Sequence, residues 1–121
     1  MTLPVIHSIE NRQALLEVLR TNPGLIFIKF GAEWCAPCKK IEKDLEVHYQ
    51  NMPDNIQCVV LDIDNSIDVY AYLKSKKIVT SIPSVICYQK GSVTYVPDDV
   101  YSGSDQKELD SFFHRCKEEL L

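Results

Sequence analysis

Apolar side chains recur along this chain at two spacings. Some stretches repeat them every three or four residues, as one face of a helix does, and others are apolar at nearly every position, as covered strands are. "LPVIHSI" (3–9) supplies a short first strand. Leu15, Leu16 and Leu19 then gather on one side of a helix that Ser8 or Asn11 can cap. "TNPG" (21–24) breaks the pattern, and "LIFIKFGA" (25–32) follows as a nearly continuous apolar run of the kind covered on both faces. Beyond Cys35, the positions Ile41, Leu45, Tyr49 and Met52 predict a long helix, with Pro37 in its first turn and Pro53 past its end.

"IQCVVLDID" (56–64) reads as the next strand, and Ser66 is placed to cap a short helix through Val69, Tyr70 and Leu73. "PSVICYQKGSVTYV" (83–96) reads as two strands joined tightly at Lys90-Gly91. Asp98-Asp99 and Ser102-Gly103-Ser104 punctuate the chain before a last helix, whose apolar face is Leu109, Phe112, Phe113, Cys116 and Leu120. The predicted order is β-α-β-α-β-α-β-β-α. Helices between the early strands imply parallel crossovers, and the late hairpin implies an antiparallel edge. The fold class is α/β, a mixed central sheet flanked by helices on both faces.

Length and charge narrow this picture without redirecting it. At 121 residues, one domain spanning 1–121 is expected, large enough to bury a core without disulfide staples. Thirteen basic against seventeen acidic residues, spread along the chain, give a net charge of −4 and no phosphate-binding surface, so nucleic acid is not an expected partner. No apolar run approaches the ~18 residues that span a bilayer, so no membrane association is expected, and the N-terminus lacks the basic and apolar regions of a secretory signal. Five cysteines, three of them isolated in apolar surroundings, do not form a pairable secreted framework. A reducing, cytoplasmic compartment and a monomeric chain are the expectations.

The remaining two cysteines stand together in "EWCAPCKK" (33–40). A structural zinc site wants four ligands, and His7, His48 and His114 are scattered, although one pair could still bridge two chains. As a permanent staple, so short a loop would contribute little. A reactive dithiol fits the position better. Cys35 falls at a strand-to-helix junction, where unpaired N–H groups and the helix dipole favour a thiolate. Cys38, one turn on, is placed to attack a mixed disulfide formed at Cys35.

"FGAEWCAPCK" (30–39) closely resembles the active-site segment of thioredoxins, with Trp34 before the first cysteine, Pro37 between the two and Lys39 after. "SIPS" (81–84) lies where that family carries a second signature, and the resemblance extends over essentially the whole chain. It implies the thioredoxin fold, with the Ile82–Pro83 bond cis and beside the dithiol. It also implies a protein-disulfide reductase in which Cys35 is the nucleophile and Cys38 resolves. Trp34, Ala36, Pro37, Ile82, Pro83 and Gly103 would form the rim that receives substrate backbone. By the same resemblance no bound cofactor and no metal are needed. The partners would be disulfide-bearing proteins and a thioredoxin reductase or other electron donor.

The departures from the family are specific. Thioredoxins usually carry a buried aspartate in the strand before the motif; Lys29 aligns with it, and Val60 aligns with its usual lysine neighbour. Lys29 could pack its stem while its ammonium reaches water or pairs with an acid such as Asp62. It could instead tune the dithiol, favouring the Cys35 thiolate and making the couple more oxidising. Ala36 replaces the commoner glycine, and the segment 92–103 is longer than in compact members, with Pro97 and the aspartates bulging at the sheet edge. These differences leave room for an alternative: a thioredoxin-fold module that binds a partner with weak or no redox turnover. Cys58, Cys87 and Cys116 are expected to act as small core hydrophobes, and His48 as a packed or half-exposed residue.

Overall fold

The computed structural model describes residues 2–120. Its elements are α1 (Arg12–Arg20), β1 (Leu25–Gly31), α2 (Ala36–Gln50), β2 (Ile56–Asp62), α3 (Ile67–Ser75), β3 (Ser84–Gln89), β4 (Asp99–Ser102) and α4 (Gln106–Glu118). The strands line up as β2-β1-β3-β4, with β1 and β2 parallel and the other pairs antiparallel. The sheet is therefore mixed, as the pattern predicts.

Local chemistry sets the helix ends. Asn11 caps α1 by accepting the Ala14 N–H at 2.9 Å, and Asp105 caps α4 by accepting those of Lys107 and Glu108. Ser66 stands at the N-cap of α3 as expected, but its side chain makes no capping bond. In "TNPG", the buried Asn22 carboxamide donates to Tyr88 O and accepts from Gly24 N–H, both at 2.9 Å. One side chain thus ties the entry of β1 to the end of β3.

Strand β1 is buried at every position because both of its faces carry helices. Leu25 and Phe27 point into one core layer, with Ile41, Leu45 and Tyr49 of α2 and Leu109, Phe112 and Phe113 of α4. Ile26, Ile28 and Phe30 point into the other, with Leu15 and Leu19 of α1 and Val69 and Leu73 of α3. The first layer is knitted by aromatic edges. Phe27 meets Phe112 and Phe113 at centroid distances of 5.9 and 4.8 Å. The Tyr49 hydroxyl, buried with them, donates to Val59 O at 2.9 Å.

Two expected strands are corrected. The segment 3–9 does not form a strand: it contributes one parallel bridge, Ile6 to Val59, through Ile6 N–H to Cys58 O and Val60 N–H to Ile6 O. Pro4 has no N–H to give, and the chain must turn at once towards Asn11. The turn at Lys90-Gly91 is present, but the strand pairing with β3 is Asp99–Ser102 rather than 92–96. Tyr95 is held elsewhere, its carbonyl accepting the Tyr88 hydroxyl at 2.7 Å and its ring meeting Tyr72 at 4.7 Å. The Asp98 carboxylate, in turn, accepts from Gln89 N–H and the Ser92 hydroxyl, closing 90–98 as a loop.

Candidate functional site: a dithiol at the head of a helix

The sequence 31–38 turns from the last residue of β1 into α2 within five residues. Cys35 N–H donates to Ala32 O at 3.2 Å, which tightens the turn. Cys35 is then the N-cap of α2, in extended backbone conformation, and its Sγ accepts the Cys38 N–H at 3.2 Å. Pro37 lies in the first turn, where a missing N–H leaves no gap. Cys35 and Cys38 are joined as a disulfide across that turn, with Cα atoms 5.3 Å apart. A sulfur held at this place faces the positive end of the helix dipole, the environment that favours a thiolate once the bond is reduced.

The two cysteines are nearly covered, at 5% and 3% exposed, while Ala36, Pro37 and Trp34 stand out around them. Trp34 is 67% exposed, yet its indole N–H donates to Asp64 at 2.8 Å, so a large apolar face is presented in a fixed direction. Asp64 was not legible in the sequence. It lies thirty residues away in the turn after β2, itself shaped by the Asp62 carboxylate accepting the Asp64 N–H at 2.8 Å.

Register brings the second motif to the same end of the sheet. Phe30 pairs with Ser84, and Ser84 with Ser102, so the start of β3 and the end of β4 lie level with the end of β1. Immediately outside these pairs stand Pro83, in a cis bond with Ile82, and Gly103. The Gly103 N–H donates to Pro83 O at 3.2 Å. Gly103 has φ +133, a conformation that side chains resist. The Ser84 hydroxyl donates to Ser81 O and meets the Ser102 hydroxyl at 2.9 Å, fixing the base of the proline turn. Pro83 is buried, Ile82 and Gly103 half-buried.

Lys29 lies beneath this end of the sheet, 9% exposed. It shares a strand face with Gly31, two residues on, where the apolar layer of Leu25 and Phe27 gives way. No ion pair among the described residues uses it, so the pairing with Asp62 does not form. Burial pushes its pKa down, while Glu42, Asp62 and Glu46 pull it back up. It lines a cleft of about 450 Å³ together with Gly31, Cys38, Glu42 and Asp62; Cys35 is not among the lining residues.

The other cysteines lie in the α2–α4 core layer, all buried. Burial pushes the Cys58 thiol up to about 12. Cys87 is pushed up further by a hydrogen bond with the Cys116 thiol and then by burial. The Cys116 thiol also approaches Asp99 at 3.6 Å. His48 is half-buried and stacks on Phe113 at 4.4 Å. Its Nε2 lies 2.6 Å from Asp110 on α4 and 3.7 Å from Asp44 on its own helix. Among the described residues these three form the one group whose donor atoms gather within metal-binding range of each other, all within 4.8 Å. Asp110 is held below the ordinary carboxylate range chiefly by the His48 hydrogen bond, and Asp44 above it chiefly by burial. The group reads as a hydrogen-bonded seam between α2 and α4. No helix among the described residues is long and apolar enough to cross a membrane.

The chain is similar to known proteins. The sequence model of the Thioredoxin family matches residues 7–115. Thioredoxin of Bacillus subtilis (strain 168) is 34% identical over 73 residues, covering 60% of this chain and 66% of that protein. Thioredoxin 3 of Plasmodium falciparum (isolate 3D7) is 26% identical over 95 residues, covering 78% of this chain and 49% of that one. The chain thus spans between half and two thirds of the length of these relatives. The structure of Trichomonas vaginalis thioredoxin superimposes with a TM-score of 0.73 at 22% identity, over 93% of this chain and 96% of that one. A match over nearly the whole chain, together with the fold and the Cys35–Cys38 pair, means that the chain belongs to the thioredoxin family.

Proposed function

We propose that the protein is a thiol-disulfide oxidoreductase that reduces disulfides in other proteins, and that Cys35 and Cys38 carry the reaction. The observation that bears most weight is the position of Cys35 as N-cap of α2, its sulfur held against the Cys38 amide. In the reduced protein the Cys35 thiolate attacks a substrate disulfide. A Cys35–substrate bond forms, the substrate S–S bond breaks, and one substrate thiolate leaves. Cys38 then attacks the Cys35 sulfur; the Cys35–Cys38 bond forms and the second substrate thiolate leaves, carrying the last of two electrons. Trp34, Ala36, Pro37, Ile82, Pro83 and Gly103 frame the dithiol as the rim for substrate backbone. A separate dithiol donor, such as a thioredoxin reductase, returns the pair to the reduced form, and no bound cofactor takes part.

The test is insulin reduction followed by turbidity, with dithiothreitol as the electron source. Wild-type protein is expected to accelerate precipitation. Cys35→Ser should reduce the rate to background, and Cys38→Ser should accumulate covalent complexes visible on non-reducing gels. If wild type leaves the background rate unchanged, the partner-binding reading takes its place. Exposed Trp34 and the 90–98 loop, with Val93 and Val96 turned to solvent, would then be the surfaces to map.

A further inference from the structure

The Lys29 side chain addresses one sulfur of the pair. A methyl group placed on Gly31 would come within 2.7 Å of Lys29 Nζ and 3.5 Å of Cys38 Sγ. Ammonium and sulfur therefore face one another across the space that a glycine leaves open, at most about 6 Å apart, inside the range over which one charge moves another's ionisation. The cleft that Lys29 lines reaches Cys38, and neither Cys35 nor Trp34 is among its lining residues. Substrate meets Cys35, whereas Lys29 meets Cys38.

We propose that the Lys29 ammonium holds the resolving sulfur, Cys38, as a thiolate in the reduced protein, and so favours the dithiol over the disulfide form. This deepens the redox function proposed above and rests on it. The step balances without a further reactant. The Cys38 proton is lost to solvent before attack, Lys29 stays protonated throughout, and the two electrons released as the Cys35–Cys38 bond forms still pass to the substrate disulfide. Lys29 is a positioning residue: it touches no substrate and acts through Cys38. The other charged groups around Cys38 and Lys29 are Glu42, Glu46 and the exposed Lys39 on α2, Asp62 at the end of β2, and Glu33 in the turn. The carboxylates oppose the effect on Cys38, but they also pull the Lys29 pKa back up against its burial. Lys29 is itself nearly covered, whereas Glu33, Glu42 and Glu46 are exposed, so water screens those carboxylates more than it screens the ammonium.

The experiment uses Cys35→Ser protein with ¹³Cβ-labelled cysteine, so that Cys38 is the reachable thiol that titrates. Its pKa is read by NMR with Lys29 and with Lys29→Met, a neutral side chain of similar reach. The acid dissociation constant of Cys38 should fall about tenfold in Lys29→Met, one unit of pKa. In the two-cysteine protein, equilibrium with a fixed glutathione buffer at pH 7 should shift several-fold towards the disulfide in Lys29→Met. An unchanged Cys38 pKa overturns the inference. Should Lys29→Met fail to fold, the ¹³Cε resonance of Lys29 itself is followed in Cys35→Ser, and it should step as Cys38 ionises; no step also overturns the inference. Failure of the redox function looks different, since wild-type protein would then leave the background rate of insulin reduction unchanged whatever the pKa of Cys38.

Discussion

Five cysteines occupy two environments, and the same thiol becomes two different groups. Cys35 and Cys38 sit at the head of a helix, beside unpaired N–H groups and next to exposed apolar side chains. Cys58, Cys87 and Cys116 sit between a sheet and two helices, with aromatic rings and one another for neighbours. All five are nearly inaccessible to water, so exposure does not separate the groups. What separates Cys35 from Cys58 and Cys87 is the field each sulfur feels. Helix N–H groups stabilise an anion, while an apolar layer penalises one.

The largest expected effect is chemical. Iodoacetamide applied to the reduced protein at pH 7 should modify Cys35 and leave Cys58, Cys87 and Cys116 untouched until the chain is unfolded. A thiol with its pKa near 12, as at Cys58, carries a thiolate fraction of roughly 10⁻⁵ at that pH. Mass spectrometry of peptides reads the outcome, and comparable labelling of all five would break the comparison.

A second test moves the stability of one environment and leaves the chemistry of the other alone. Cys87→Ser puts a hydroxyl where a polarisable thiol now packs, and should cost about 1–3 kcal/mol of stability. Denaturant midpoints measure the loss, while the reduction potential of the Cys35–Cys38 pair should stay where it is. A shifted potential would mean that the core layer and the dithiol are coupled.

The smallest effect lies at the rim of the buried set. Arg115 grips Asp99 with two hydrogen bonds, at 2.6 and 3.0 Å, next to Cys116. Asp99 is held below the ordinary carboxylate range, the Arg115 hydrogen bond being the main cause. Its folded pKa lies under its unfolded value of about 3.9. The pair's contribution is therefore complete above that pH and disappears as pH falls through the lowered folded pKa. Asp99→Asn should cost about 1 kcal/mol at pH 7, and the gap to wild type should narrow in denaturant melts taken towards pH 2.

The same contrast explains what the sequence disclosed. Helix α2 was legible because Pro37 opens it and Ile41, Leu45 and Tyr49 repeat along it, all statements about near neighbours. Strand β1 declared itself by being apolar throughout. The strand β4 did not. Asp99 and Ser102 look like turn residues, and only Arg115 and Ser84, distant along the chain, make them tolerable in a strand. "SVTYV" looked like a strand because alternation is local, whereas the hydroxyl of Tyr88 and the ring of Tyr72 that claim Tyr95 are not. At the candidate site, the cysteine spacing and the proline motif could be read directly. The Asp64 clamp on Trp34 and the approach of Lys29 to Cys38 could not, since each depends on how separate segments meet in three dimensions.

The lone bridge from Ile6 to Val59 has a further consequence. It lies along the outer margin of β2, where a seven-residue strand would otherwise offer a row of free N–H and C=O groups to any passing chain. A few residues too irregular to count as a strand thus act as a hem on this edge, occupying Cys58 O and Val60 N–H where another strand would pair.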